Sequence, residues 1–212
     1  AYYNSKLYPR GVYFAETSSF DPLAIMINSA HLLNLSVHAW VNPMRAKTDA
    51  EMQAMSDEYL PKQWYVDEIK RGTYIVQVED RWYLNPAYNE VKKFIADGIK
   101  EIVSNYNVDG IHIDDYFYPT TDASFDMASF AESNTSDLAA WRMENINVMV
   151  KGMYLAVKSI NKNVLFGISP QGSIEKNYST QYADVAKWCK EGGYCDYIVP
   201  QIYFGFKNET CP

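Results

Sequence analysis

Two adjacent carboxylates, Asp114 and Asp115, follow a short apolar alternation and precede a cluster of aromatics in the stretch VDGIHIDDYFYP, Val108 to Pro119. A carboxylate carried toward an interior is unfavourable by several kcal/mol unless it is paired, so a strand that ends in two acids has a use for them. The chemistry open to such a pair is stabilising positive charge, attacking a carbon, or moving a proton, and the rest of the chain has to say which. Beside them stand His112 and Tyr116, and other short apolar runs end in polar residues too: Asn42 in VHAWVNP, Ser169 in VLFGISPQG, Gln201 and Tyr203 in DYIVPQIYF. These residues can act together only if the elements that carry them bring their ends to one place.

The chain repeats one order of elements, a helix, a turn, a short apolar strand and a polar strand end. In FDPLAIMINSAHLLNLS, Asp21 is placed to cap and Pro22 sits in the first turn, with Leu23, Met26, Ile27, Ala30 and Leu33 at helical spacing before the strand VHAWVNP. NPAYNEVKKFIADGIKEIVSNYN repeats this, with Asn85 as the expected cap, Pro86 behind it and a stripe of Val91, Phe94, Ile95, Ile99 and Ile102 before the strand DGIHIDD. A helix from about Asp137 to Ile160, with Met149, Val150, Met153 and Val157 as a core stripe, leads into VLFGISPQG, and a shorter one around Ala183 to Glu191 leads into DYIVPQIYF.

Helices alternating with strands imply an α/β fold with a parallel sheet and helical crossovers. No GxGxxG or Walker loop follows any strand, and the polar strand ends match a (β/α)8 TIM barrel, whose active site is built at the C-terminal ends of its strands. Alternation then sorts the faces. Val37, Ala39, Val41, Ile111 and Ile113 face the outer helices, while His38, Trp40, Asn42, His112 and Asp114 point inward. Asp115 has the opposite parity and reaches the cleft only where the chain bends into the loop.

Composition narrows the function classes. With 212 residues, 48% of them hydrophobic, the chain can bury one sizeable core, and residues 1–212 are read as one domain. A net charge of −7, a pI near 5.0 and the lack of any Lys/Arg block argue against nucleic acid or an anionic membrane as partner. No apolar run is long enough to span a membrane, and the first residues, AYYNSKLYPRG, lack the apolar core of a secretory signal. Three cysteines, Cys189, Cys195 and Cys211, are too few for a disulfide framework and lack zinc-ligand spacing. Aromatics at 15%, with 18 tyrosines, fit a cleft lined by amphipathic rings, as sugar-binding clefts are.

Taken in order, VHAWVNPMRA, WYLNP, VDGIHIDDYFYP, WRMENIN, FGISPQG and DYIVPQIYF resemble the bacterial glycosyl-hydrolase-like 10 family, from about Ala1 to Phe204. The resemblance implies a (β/α)8 barrel that acts on glycans, peptide-free peptidoglycan strands among them, in a periplasmic, secreted or envelope-attached setting. By the same resemblance the strands here are the third to sixth, so this is the central part of a barrel. The rest would come from flanking sequence or another chain, and four βα units alone would be poorly stable because they leave two open sheet edges. A second resemblance is weaker. DGIHIDDYFYP is similar to the DGxDxDxE motif of family 18 chitinases, but the proton donor's place falls on Tyr116, and a phenol with pKa about 10 is a poor acid at neutral pH.

Glycosidases place two carboxyl groups across the scissile bond, about 5 to 5.5 Å apart for retention or about 6.5 to 9.5 Å for inversion. Asp114, inward at a strand tip, is the expected nucleophile or base; the other reading is a structural acid that caps the next loop or pairs with Arg142. Asp115 is either the general acid or a structural acid in a salt bridge or loop cap, in which case the proton donor sits on one of the missing strands. His112 is placed to bond and orient Asp114, or is a satisfied core histidine. Asn42 and Gln201 have the character of sugar-hydroxyl ligands or of loop hydrogen-bonders. Arg45 and Arg142 can clamp a carboxylate, N-acetyl or lactyl group, or pair with nearby acids. Trp40, Trp82, Tyr116 and Tyr203 are candidate stacking rings, though for each ring taken singly ordinary packing is the better reading. His38 and Asn145, the latter in WRMENIN, complete the expected substrate-binding set. No cofactor or metal is expected. Two alternatives remain: a metal-dependent, deacetylase-like hydrolase using His112, Asp114 and His38, and a glycan-binding barrel without catalysis.

Overall fold

The structure, a computed structural model, describes residues 1–11, 20–203, 205 and 207; Cys211 and Phe204 lie outside them. In chain order the elements are α1 (Pro22–Leu32), β1 (His38–Val41), β2 (Arg45–Thr48), α2 (Asp49–Ala54), α3 (Leu60–Val66), β3 (Ile75–Val78), β4 (Arg81–Leu84), α4 (Asn89–Asn105), β5 (Gly110–Ile113), α5 (Met127–Ala131), α6 (Leu138–Ile160), β6 (Leu165–Ile168), α7 (Ile174–Gln181), α8 (Val185–Lys190) and β7 (Tyr197–Ile198), with a short 3₁₀ turn at Ala123–Phe125.

The main sheet runs β1-β5-β6-β7, every pair parallel. Strand order thus follows chain order, whereas a doubly wound sheet reverses its order part-way across. Among the described residues the sheet is also covered on one face only. Ile111, Ile113, Phe166 and Ile168 are fully buried on the helix side with the α4 stripe of Val91, Phe94, Ile95 and Ile99 and the α6 stripe of Ile146, Met149, Val150, Met153 and Val157. Each such side chain contributes about 1.5–3 kcal/mol on burial. The opposite face carries His38, Trp40, His112 and Tyr197. Sequential order and one-sided cover make this a run of consecutive βα units of a (β/α)8 barrel, open along β1 and β7 among the described residues.

Two aspartates stitch the N-terminal edge of this sheet by one device. Asp109, just before β5, accepts from the backbone N–H of Val37 at 2.7 Å and lies 2.9 Å from His31 Nε2. Asp196, just before β7, accepts from the N–H of Phe166 at 2.7 Å and pairs with Lys158 at 2.7 Å. Both tie a strand's entry to its neighbour, at the end of the barrel that serves stability.

Between β1 and α4 the chain builds something the helix-strand pattern does not foretell: an antiparallel sheet in the order β2-β4-β3. Its hairpin, IVQVEDRWYL, alternates in period two but turns at Glu79, with φ of 56°, rather than at glycine. α4 also starts later than expected. Tyr88 is its N-cap, while Asn85 is buried and spends its side chain on Thr73 O and Ala87 N–H, both within 3.0 Å. α1 and α6 begin as expected, with Asp21 capping Ala24 N–H and Asp137 capping Ala140 N–H. Cys189 and Cys195 are free thiols.

Candidate active site

β5 ends at Ile113, and the next residues leave the pleat at the C-terminal end of the sheet. Asp114 is only 4% exposed. Its two oxygens are held from different sides: Oδ1 accepts from the Tyr116 backbone N–H at 3.2 Å, and Oδ2 accepts from Trp40 Nε1 at 3.1 Å. The register explains the second bond. Trp40 pairs with His112, so Asp114 lies two residues further along the neighbouring strand on the same inward face, within reach of an indole. Burial pushes the Asp114 carboxyl up to about 6; the charge of Asp115 adds to the rise, and the hydrogen bonds from Tyr116 and Trp40 oppose it.

Asp115 lies where the chain bends, and its Oδ1 accepts from Gln201 Nε2 at 3.0 Å, the same amide also donating to Ser169 O at 2.9 Å. Gln201 thereby ties the tips of β5 and β6 to the segment after β7, where Gln171 and Gln201 form a parallel bridge. On the other flank, the Arg45 guanidinium stands 5.4 Å above the Tyr116 ring, and Asn42 Oδ1 accepts from Arg45 N–H at 3.1 Å, a turn within its own loop. Trp40 is 70% exposed and Tyr203 is 85% exposed, both large rings open to solvent. Trp40, Asn42, Arg45, Asp114, Asp115, Tyr116 and Gln201 are thus linked around one strand end.

One layer below, the arrangement differs from the expectation for His112. Its Nδ1 lies 3.0 Å from the Tyr197 hydroxyl, and His38 Nδ1 lies 2.7 Å from the same oxygen, so His112 does not orient Asp114; Trp40 does. Burial, then the charge of His38, lowers the His112 pKa, and burial raises that of Tyr197. The rings lie across the neighbouring strands over Gly110 and Gly167, where a Cβ would overlap His38 and Tyr197 respectively. Tyr197 was missed as an inward residue although its parity matches Gln201. This layer also bears on metal chemistry. A metal hydrolase would need His38, His112 and Asp114 to converge, whereas both imidazoles turn to the phenol, and no three His, Cys, Asp or Glu side chains among the described residues form a ligand group.

Three expected substrate ligands sit elsewhere. Arg142 is fully buried: Nε and Nη2 bind Asp126 at 2.5–3.1 Å, Nη1 donates to Thr121 O and the Tyr182 hydroxyl, Nη2 donates to Asp122 O, and the Tyr118 and Tyr182 rings each lie 5.0 Å away. It is a knot that fixes the loop after β5, with no donor left for a glycan. Trp82 is 3% exposed on β4, its Nε1 donating to Asp49 at 3.0 Å. Asn145 lies in the seam between α4 and α6, its Oδ1 3.5 Å from Lys92 Nζ. Packing and pairing account for Arg142 and Trp82, whereas Asn145 keeps a buried Nδ2 without a hydrogen-bond partner among the described residues.

A family model described as glycosyl hydrolase-like 10 matches residues 1–211. The chain is 32% identical over 207 residues to glycosyl hydrolase YngK of Bacillus subtilis (strain 168), covering 87% of this chain and 39% of that protein. It is 31% identical over 215 residues to glycosyl hydrolase DigH of Escherichia coli (strain K12), covering 92% of this chain and 49% of that protein. It therefore spans less than half the length of these relatives. Among solved structures it is similar to alpha-L-fucosidase isoenzyme 2 from Paenibacillus thiaminolyticus, with a TM-score of 0.55 at 14% identity over 82% of this chain and 26% of that one. It is also similar to a cycloisomaltooligosaccharide glucanotransferase of Paenibacillus sp., with a TM-score of 0.50 at 15% identity over 84% of this chain and 23% of that one. At such identity these two likenesses speak to fold.

Proposed function

The chain belongs to the glycosyl hydrolase-like 10 family, and from that premise we propose that it supplies the acid-bearing strand tips of a glycoside hydrolase acting on a bacterial glycan, peptide-free peptidoglycan strands being the first substrate to try. The observation that carries this reading is Asp114: a carboxylate at a barrel strand end, held by two donors, beside an open tryptophan ring. With its pKa raised to about 6 it is mostly ionised at neutral pH yet able to hold a proton, the range of a general acid/base, and it is its place at the strand tip that recommends it as base or nucleophile. In the proposed reaction the ionised Asp114 faces the positive charge that develops on the sugar, while a second carboxyl group protonates the leaving oxygen. Asp115, bound by Gln201, is one candidate for that second group.

No helix among the described residues is long and apolar enough to cross a membrane, and the proposal places the protein outside the cytoplasm, where its substrate lies. The test is incubation of the whole protein with purified peptide-free glycan strands, counting new reducing ends and identifying products by mass spectrometry. New reducing ends support hydrolysis. Binding of the strands without cleavage would make this a glycan-binding barrel, and release of acetate without chain cleavage would make it a deacetylase.

A further inference from the structure

Trp40 joins two properties that are rarely found on one side chain. Among the described residues its ring is 70% exposed on the inward face of the sheet, more open than the Tyr116 ring at 45%, while its only polar atom is already committed to Asp114 Oδ2 at 3.1 Å. A tryptophan cannot turn its ring without carrying that N–H away, because both are fixed by the same two side-chain torsions. The other carboxylate oxygen is held by the backbone of Tyr116, within the same turn. Of the two donors that aim this carboxylate, one is therefore rigid backbone and the other rides on a ring open to whatever enters the cleft.

We propose that Trp40 is the positioning residue for Asp114 as well as the platform for the adjoining sugar, so that stacking of a pyranose on its ring fixes the orientation of the carboxylate. This deepens the glycosidase reading and rests on it. Aromatic faces take sugar rings by apolar contact, and a ring so covered loses the freedom to swing. The indole N–H then points steadily at Oδ2, and a hydrogen bond to an ionised oxygen is stronger than one to a neutral one. Substrate occupancy and carboxylate geometry are in this way joined through one side chain.

The charged and titratable neighbours of Asp114 are few enough to name. Asp115 follows it directly, beyond the end of β5, and accepts from Gln201. Arg45, from the β1–β2 turn, stands over the Tyr116 ring. His38 and His112 lie a layer below and are occupied with Tyr197. None of them donates a hydrogen bond to Asp114 among the described residues, so the indole is the one side-chain donor whose removal can be isolated.

The test uses the whole protein and its W40F, W40A and D114N variants. Trp40→Phe keeps an aromatic platform, smaller than the indole, and deletes the N–H. On a cleaved glycan it should lower kcat by about tenfold, the loss expected for one charge-assisted hydrogen bond, with KM within about twofold of wild type. The acidic limb of the rate profile should move to higher pH, because a donor to the ionised form is gone. Trp40→Ala should raise KM as well. A readout independent of turnover is the Trp40 indole N–H resonance, assigned by its absence in W40F: it should shift as pH crosses the Asp114 titration and stay flat in D114N. A W40F enzyme with wild-type kcat and pH profile would overturn the proposal, as would an indole resonance indifferent to D114N. Failure to cleave any glycan, with the indole still titrating, would sink the glycosidase reading and leave the Trp40–Asp114 linkage standing.

Discussion

Replacing Asp114 with Asn should make the folded protein more stable at neutral pH, because the site holds a charge where the fold disfavours one. Burial raises this carboxyl from its ordinary 3.8 to about 6. The folded state thus binds the proton more tightly than the unfolded chain, and the resulting stability is fully present below about pH 3.8 and lost as pH rises through about 6. Roughly two pKa units at 1.36 kcal/mol each make that loss about 3 kcal/mol by pH 7. Asn carries no charge and escapes it. Asn also has a single oxygen where Asp114 uses two, one for Trp40 and one for Tyr116, so one hydrogen bond worth about 1 kcal/mol goes. The net expectation is a gain of about 2 kcal/mol at pH 7 and no gain at pH 4, where the wild-type carboxyl is already neutral. Urea denaturation of the whole protein and the variant at both pH values measures it, as a midpoint shift at constant slope. A variant no more stable than wild type at pH 7, or one stabilised equally at pH 4, would refute the reasoning.

At Arg142 the expected change has the opposite sign. Arg142→Met strands Asp126, which is 3% exposed, without its partner, and should cost about 3–5 kcal/mol in the same urea assay, part of it recovered when Asp126 is also made apolar. Gly167→Ala should be destabilising by about 1–3 kcal/mol through overlap with the Tyr197 ring, and combining it with Tyr197→Ala should give less than the sum of the two single losses.

The parallel strands were legible because each alternates: Ile111 and Ile113 against His112 and Asp114 fixes which side chains meet helices and which face inward, and the burial of the two isoleucines follows it. The cap at Asp21 and the start of α6 near Asp137 were legible from local signals, hydrogen bonds and spacing among neighbouring residues. What failed was non-local. Arg142, on α6, meets Asp126, 16 positions earlier just before α5, with no periodic signal linking them, so its burial could not be read from spacing. Trp82 looked like a cleft aromatic because the antiparallel sheet beneath it turns at Glu79 and lacks the usual glycine. The bond from Trp40 to Asp114 depends on strand register, which the sequence leaves open until the strands are aligned, and the histidines chose Tyr197 over Asp114 for the same reason. Tyr197 shares the inward parity of Gln201.

The account turns on whether Asp114 does the chemistry, and the most direct measurement is the steady-state turnover of peptide-free glycan strands by the whole protein and by Asp114→Asn, with folding checked alongside. Asn keeps the shape of the side chain and removes the charge that would face the developing cation. A fall in kcat of about a thousandfold, roughly 4 kcal/mol of lost transition-state stabilisation, with KM little changed and the fold intact, is the predicted result. Asp115→Asn run beside it separates a joint catalytic pair, which would show a comparable loss, from a loop acid held by Gln201, which would show a small one. Turnover by Asp114→Asn close to that of wild type would contradict the account.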